Sequence, residues 1–347
     1  MKGLILAGEP MGLLIAQSEG ALGDVSGYDL AVAGAEFNVA VGVARLGHRV
    51  TYMTKLGRDP FGERIVRVLG ANDIGTEFVA WSAERRTGFM LKGRVHEGDP
   101  PIFYFRAGSA ASTLAPEDVE AIDFSAYTHI HLTGILPALT NETRAAVNFM
   151  FERARAAGLT ISFDPNLRPQ LWPDERTMCE TINALAARAD IVLPGTAEGK
   201  ILMGSDDPAA ISTFYQEQGA QIVITKCGGA GAYVADGAER YHVPGFRVRK
   251  VVDTVGAGDG FAAGVITGLM EDLPLRDAVW RAKCTDLQGI PPAFFGRHAQ
   301  CTALPCATPR RNACTAAGSA SFSGGISAAG QSVISSACNS GLRRACA

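Results

Sequence analysis

The feature that most constrains the fold is a regular alternation of short apolar runs and helical patterns between residues 119 and 282. Apolar runs at 130–132, 159–163, 191–193 and 222–224 are each separated by enough residues for a crossover helix. Strands that alternate with helices are typical of a parallel sheet covered on both faces. Ligands bind such sheets at the carboxyl ends of the strands. We therefore expect the polar residues after these strands, Asp164 and Lys226 among them, to lie at a functional site.

Residues 10–33 and 85–106 have a different pattern. The segments 87–95 and 102–106 read as antiparallel strands around a turn at 97–100. Such strands predict a small sheet that projects from the main α/β body as a lid.

Composition excludes several function classes. The net charge is −3 and no basic block occurs, so nucleic acid is not an expected partner. The first apolar run is shorter than the roughly 7–15 residues of a signal peptide or the roughly 20 of a membrane helix. We therefore predict a cytoplasmic protein that does not contact a membrane. The eight cysteines include no C-x-x-C pair, so neither a zinc site nor a disulfide framework is predicted.

The most informative stretch is DTVGAGDGFAAG at residues 253–264. A loop of small residues leads into an apolar helix, where the backbone N–H groups of Gly256, Ala257 and Gly258 can converge on one anion. Phosphoryl transfer needs such a cradle and a carboxylate within reach of the attacking hydroxyl, and Asp259 stands at that position. The alternative is a glycine-rich turn with Asp259 as an ordinary helix cap. The Gly-Lys-Ser/Thr of a Walker loop is absent.

Residues 253–259 resemble the C-terminal signature of the ribokinase-like (pfkB) carbohydrate kinases, and residues 34–40, 44–47 and 56–62 echo the N-terminal signature of that family. The resemblance runs from about residue 4 to residue 282. It implies a three-layer α/β/α sandwich with a mainly parallel sheet and a small β-sheet lid. It also implies transfer of the γ-phosphate of ATP to a sugar hydroxyl with the help of Mg²⁺, and a possible homo-oligomer.

Within the family, the stretches 8–10, 103–110, 164–172 and 193–195 are most similar to the 2-keto-3-deoxygluconate kinases, which make the 6-phosphate. Two alternatives stay open. One is a kinase for fructose, ribose or another sugar. The other is a catalytically impaired sugar-binding protein that lacks a complete adenine pocket.

The resemblance also implies roles for individual positions. The substrate-binding residues would be Gly34, Asn38, Tyr104, Arg106, Arg168 and the base Asp259. Two arginines suit an acid substrate, because a guanidinium binds a carboxylate through two parallel hydrogen bonds. The alternatives are solvated surface charges for the arginines and a packed lid residue for Tyr104. Met90 stands where close relatives often have an aromatic residue, which leaves the substrate less defined.

On the nucleotide side, the resemblance implies contacts from Asn166, Arg168, Lys226, Gly228 and Gly231, together with the cradle Gly256, Ala257 and Gly258. Glu198 matches the acid that helps to hold magnesium through water. The alternative for Glu198 is an acid on a helix surface.

The pattern of the sequence changes after residue 283. Residues 284–347 contain five arginines, one acid and six of the eight cysteines, and no helical or strand period is sustained there. The family's next elements, an Asn-Ala-rich helix with a final strand and helix, do not appear. The simplest account is a frameshift near codon 283, so the kinase domain is predicted at 1–283 and a disordered tail at 284–347. A divergent but genuine C-terminus is the alternative.

Overall fold

The computed structural model describes residues 3–96, 100–246 and 256–287. These residues belong to one compact unit. Its strands are β1 (Gly3–Ala7), β2 (Met11–Ala16), β3 (Tyr28–Ala33), β4 (Arg49–Gly57), β5 (Gly75–Ser82), β6 (Phe89–Lys92), β7 (Ile102–Phe105), β8 (His129–Thr133), β9 (Thr160–Asp164), β10 (Ile191–Val192), β11 (Ile222–Lys226), β12 (Gly231–Asp236) and β13 (Glu239–Pro244). Its helices are α1 (Ala35–Arg45), α2 (Pro60–Ala71), α3 (Pro116–Glu120), α4 (Asn141–Ala156), α5 (Glu175–Ala186), α6 (Thr196–Met203), α7 (Pro208–Glu217), α8 (Ala257–Met270) and α9 (Leu275–Leu287).

The main sheet has nine strands in the order β13-β12-β11-β10-β9-β8-β1-β4-β5. The pairs from β5 to β11 are parallel, and β12 and β13 add antiparallel strands at one edge. Helices lie between the parallel strands along the chain and provide the crossover connections that a parallel sheet needs. The predicted mainly parallel sheet, including strands at β8, β9, β10 and β11, is confirmed.

Helices cover both faces of this sheet, and the alternation of side chains along each strand explains why. Along β1, Ile5 packs into a core with α4, α5 and α7, whereas Leu4 and Leu6 pack into a second core with α1, α2 and α8. Successive strand residues point to opposite faces, so an apolar strand must be buried on both. The three-layer α/β/α sandwich is therefore confirmed.

A second sheet of four strands, in the order β3-β2-β6-β7, forms the predicted lid. The pair β6–β7 is antiparallel as predicted, whereas β2 and β6 run parallel. Tyr104 of β7 faces the interior, so its neighbours Phe103 and Phe105 face outward. These two rings are 57% and 51% exposed. The lid therefore has an apolar outer face. Residues 97–99 of the predicted turn lie outside the described residues.

The predicted domain boundary at residue 283 falls within α9, which continues to Leu287. Residues 288–347, which make up most of the predicted tail, lie outside the described residues. The prediction for the tail therefore stays a prediction. Among the described residues, no helix is both long enough and apolar enough to cross a membrane.

Candidate active site

The carboxyl edge of the main sheet and the inner face of the lid enclose a cavity of about 340 Å³. The strand ends of β1, β9 and β11 meet there with the N-termini of α1 and α8. This is the edge at which parallel sheets bind ligands. The described residues that line the cavity include Glu9, Met11, Gly34, Asn38, Met90, Ile102, Tyr104, Arg106, Ile135, Asp164, Asn166, Arg168, Glu198, Lys226, Gly256, Gly258 and Asp259.

Asp259 lies in the first turn of α8, with Gly256 as the N-cap residue. The first backbone hydrogen bond of this helix joins Gly260 N–H to the Gly256 carbonyl oxygen at 2.9 Å. The N–H groups of Ala257, Gly258 and Asp259 therefore have no acceptor within the helix. Together with the helix dipole, they make the start of α8 favourable for an anion.

The Asp259 side chain is only 9% exposed, and Asn38 Nδ2 donates to its Oδ2 at 2.8 Å. Burial raises the pKa of Asp259 to about 6, although the hydrogen bond from Asn38 acts in the opposite direction. At neutral pH this carboxyl is still mostly ionised, while its proton affinity is higher than that of an exposed aspartate. Both properties suit a general base.

Asn38 lies in the first turn of α1. A second buried acid, Glu36, connects this turn to the main sheet. Glu36 Oε1 accepts a hydrogen bond from Thr133 Oγ1 of β8 at 2.5 Å, and Glu36 is fully buried. Burial raises the pKa of Glu36 to about 7. The described residues provide no hydrogen-bond partner for Glu36 Oε2.

The cationic and acidic residues at the ends of β9 and β11 form a second cluster in the cavity wall. Lys226 Nζ, at the end of β11, lies 2.6 Å from Asp164 Oδ2, at the end of β9. Burial lowers the pKa of Lys226, but the carboxylates of Asp164 and Glu198 outweigh it and raise that pKa above its usual value. Lys226 is therefore a fixed positive charge at the cavity wall.

Glu198 has a clear structural role beside this lysine. Its Oε2 accepts from Gly195 N–H at 2.7 Å, and its Oε1 accepts from Leu167 N–H at 3.0 Å. Burial raises its pKa. The side chain thus caps α6 and holds the loop after β9. Glu198 is not an acid on an exposed helix surface, because it lines the cavity.

The loop after β9 carries two of the predicted contacts. Asn166 has a left-handed backbone with φ of 41°, and its N–H donates to Asp164 Oδ1 at 3.1 Å. Arg168 Nη1 donates to the carbonyl of Leu167 at 2.8 Å. A left-handed asparagine is a sparsely populated conformation that is often found at functional sites.

Arg106, directly after β7, is bound by Glu9. Its Nε donates to Glu9 Oε2 at 2.7 Å, its Nη2 donates to the same oxygen, and Ser109 Oγ donates to Glu9 Oε1 at 2.5 Å. The guanidinium carbon lies 5.8 Å from the centre of the Tyr104 ring. Arg106 is 6% exposed, so it is not a solvated surface charge.

The sequence profile of the pfkB family carbohydrate kinases matches residues 1–285 of the chain. The chain belongs to this family. It is a carbohydrate kinase, as predicted. A 2-dehydro-3-deoxygluconokinase of Bacillus subtilis (strain 168) is 44% identical over 294 residues, covering 82% of this chain and 91% of the relative. A 2-dehydro-3-deoxygluconokinase of Thermoproteus tenax is 32% identical over 282 residues, covering 80% of this chain and 85% of the relative.

The crystal structure of a PfkB protein from Polaromonas sp. JS666 has the same fold. It superposes with a TM-score of 0.78 at 40% sequence identity and covers 84% of this chain and 98% of that chain. The ribokinase-like architecture predicted from the two pfkB signatures is therefore confirmed.

Within this pfkB fold, most of the residues predicted from sequence line one cavity. Ala257, Gly228 and Gly231 are not among the described residues of its wall. Ala257 lies beside the wall in the first turn of α8, whereas Gly228 lies in the turn between β11 and β12 and Gly231 is the first residue of β12. The residues of the family signature at 253–255 lie outside the described residues.

The backbone conformation at Gly34 gives its own reason for glycine at this position. Its φ is 139°, and a Cβ there would lie 2.9 Å from the Glu9 carbonyl oxygen and 3.1 Å from Pro10 Cα. The backbone of the turn before α1 therefore requires glycine, whether or not a sugar approaches.

Glu9 and Glu36 are the acids that sequence reasoning did not assign a role. An acid two residues after the first apolar strand, at the carboxyl edge, was a usable signal for Glu9. Glu36 has no comparable signal, because its importance depends on its burial against Thr133.

Proposed function

We propose that this carbohydrate kinase transfers the γ-phosphate of ATP to 2-keto-3-deoxygluconate and forms the 6-phosphate, with Asp259 as the base. The observation that carries the proposal is one shared cavity. It brings a buried carboxylate at the start of α8 together with two arginines. A carboxylate beside a helix N-terminus suits phosphoryl transfer, and arginines suit a sugar acid.

Asp259 would accept the proton of the terminal hydroxyl as the oxygen bonds to the γ-phosphorus. The bond between that phosphorus and the bridging oxygen breaks, ADP leaves, and the proton stays on Asp259 until the product departs. The hydrogen bond from Asn38 holds one carboxylate oxygen in place. The other oxygen is then available to the substrate.

The start of α8 and Lys226 would stabilise the charge that spreads over the transferred phosphoryl group. The N–H groups of Ala257 and Gly258 have no acceptor within the helix. Gly258 lies close to Lys226, because a Cβ on Gly258 would be 3.7 Å from Lys226 Nζ. Preorganised donors of this kind are usually the largest contribution to such catalysis.

Magnesium neutralises phosphate charge when it is bound. Within the residues that the structure describes, no group of three or more His, Cys, Asp or Glu side chains could hold a metal ion alone. That arrangement fits Mg²⁺, which keeps several waters and binds through substrate phosphates with one or two carboxylates. Asp164 and Glu198 line the cavity and would hold it through water.

A sugar acid is favoured over a neutral sugar by Arg168 and by the relatives. Arg168 lines the cavity, and its positive charge acts on Asp259. Two of the similar proteins are named 2-dehydro-3-deoxygluconokinases. A neutral hexose or pentose offers no carboxylate for a guanidinium.

The test is a comparison of initial rates of ADP formation with 2-keto-3-deoxygluconate, fructose and ribose at equal concentrations. We expect the acid to have the highest kcat/KM by at least about tenfold, because a charged hydrogen bond contributes about 1.5–3 kcal/mol. A higher kcat/KM for fructose or ribose would assign the enzyme to a neutral sugar. Sugar binding by calorimetry without any turnover would favour the impaired sugar-binding protein.

A further inference from the structure

Glu9 is a buried acid of the cavity wall that the proposed reaction does not use. It follows β1 at the carboxyl edge of the main sheet and is 1% exposed. Its Oε2 accepts from Arg106 Nε and Nη2, and its Oε1 accepts from Ser109. Both oxygens are therefore occupied by charged or short hydrogen bonds inside the protein.

The pair of Glu9 and Arg106 joins the two sheets. Glu9 belongs to the main sheet's edge, whereas Arg106 follows the last lid strand, 97 residues later in the chain. A buried ion pair is costly to break, because the remaining partner becomes an unpaired buried charge. The contact therefore fixes the position of the lid's end against the main sheet.

The neighbouring backbone makes room for this contact. A Cβ at Gly88 would lie 2.8 Å from Glu9 Oε1 and 3.3 Å from Arg106 Cβ. The absence of a side chain at residue 88 thus allows the carboxylate to lie alongside the guanidinium.

The contact also decides which part of Arg106 a substrate can reach. The N–H group of Nε and one N–H group of Nη2 both donate hydrogen bonds to Glu9 Oε2. Among the described residues, none accepts a hydrogen bond from Nη1. A substrate carboxylate therefore cannot take the Nε–Nη2 side of this guanidinium in the usual two-point arrangement. The charge of Arg106 is also compensated by Glu9, whereas Arg168 has no carboxylate within ion-pair distance in the described part of the chain.

We propose that Glu9 is a positioning residue, which holds Arg106 so that only the Nη1 edge of its guanidinium, with the second N–H of Nη2, is presented to the carboxylate of the sugar acid. This inference rests on the proposed function, because it assumes that the substrate is an acid. Glu9 acts through Arg106 and does not itself touch the reacting atoms.

The experiment measures the Kd of 2-keto-3-deoxygluconate and of ATP by calorimetry on the full chain, with KM and kcat measured beside them. Glu9→Gln keeps the side-chain shape and removes the charge. We expect the Kd and KM for the sugar acid to rise by at least tenfold, while the Kd for ATP stays within twofold. Glu180→Gln is the matched control, since Glu180 forms an exposed pair with Arg176, and it should change neither value.

A double-variant cycle separates positioning from a general structural role. If Glu9 acts through Arg106, Glu9→Gln combined with Arg106→Gln should bind the acid no more weakly than Arg106→Gln alone. Ser109→Ala loosens Glu9 from the other side without creating a buried charge, so it should raise the Kd for the acid by about two- to fivefold. If Glu9→Gln does not fold, the Kd for the acid in Ser109→Ala tests the inference instead.

Several results would overturn the inference. Unchanged or tighter acid binding in Glu9→Gln, equal losses for the acid and for ATP, or additive losses in the double variant would each do so. So would wild-type acid affinity in Ser109→Ala. Failure of the proposed function has a different signature, because the wild-type chain would then either not bind 2-keto-3-deoxygluconate or bind it without turnover.

Discussion

Arg168 is the cavity cation that is most available to an anionic ligand. Its guanidinium donates to the backbone carbonyls of Asn166 and Leu167, and the described residues bring no carboxylate within ion-pair distance of it. Its location in the loop after β9 agrees with what the sequence predicted. Its role in binding the acid stays a prediction.

Arg168→Ala should weaken binding of the keto-deoxy acid by about 2–4 kcal/mol, because the carboxylate would lose a partly buried charged partner. Binding of fructose or another neutral sugar should change far less. Calorimetric titration of both sugars measures the difference, and Arg176→Ala, at an exposed position, is the control. Equal losses for the two sugars would mean that Arg168 holds the nucleotide or the loop instead.

The raised pKa of Asp259 predicts a pH dependence for kcat. A general base must be ionised, so the rate should be constant above about pH 7 and fall by about tenfold per pH unit below about 6. An ordinary aspartate, with a pKa near 3.9, would keep full activity down to about pH 5. A kcat profile that stays flat down to pH 5 would show that burial does not raise the pKa of Asp259 to about 6.

At the scale of elements, the first turn of α1 connects the wall of the cavity to Asp259, the proposed base. Gly34 precedes the helix, Glu36 binds Thr133, and Asn38 binds Asp259. A distortion at the start of this helix is therefore expected to reach the base through Asn38.

Gly34→Ala should lower the free energy of unfolding by about 1–3 kcal/mol, because the new Cβ meets backbone atoms at a φ that favours glycine. Gly70→Ala is the matched control. Gly70 lies in α2 and has nothing within 4 Å of a new Cβ, so alanine there should be neutral or slightly stabilising. Urea denaturation measures the free energy of unfolding of both variants. Equal unfolding free energies for the two variants would contradict the account of Gly34.

The elements differ in how far the sequence predicts them. Strands β8, β9 and β11 are predicted because each is a continuous apolar run between helical patterns. The cradle at α8 is predicted because small residues and an acid stand together in one stretch of chain. The pairing of Glu9 with Arg106 spans 97 residues, and no local periodicity encodes such a contact. The parallel pairing of β2 with β6 is missed for the same reason.

At the scale of the whole molecule, the similarity to the pfkB family ends at residue 285, two residues after the boundary predicted from the sequence. We predict that the gene contains a frameshift near codon 283. Resequencing of the DNA across codons 275–300 should restore an Asn-Ala-rich helical pattern in another reading frame. If the DNA encodes residues 284–347 in the same reading frame as the kinase domain, and no such pattern occurs in the other frames, the C-terminus is divergent but genuine.

A homo-oligomer also stays a prediction at this scale. The outward-facing Phe103 and Phe105 of the lid are apolar and more than half exposed, which is typical of a surface that pairs with another protein.

The central claim is that Asp259 is the base of a phosphoryl transfer, and the measurement that tests it most directly is the kcat of Asp259→Asn. The variant keeps the side-chain shape and removes the proton acceptor, so kcat should fall by at least about 100-fold while the Kd for ATP is nearly unchanged. Ser125→Ala, a substitution at an exposed loop residue, should keep wild-type kcat in the same preparation. An Asp259→Asn enzyme that retains half of the wild-type kcat would contradict the account.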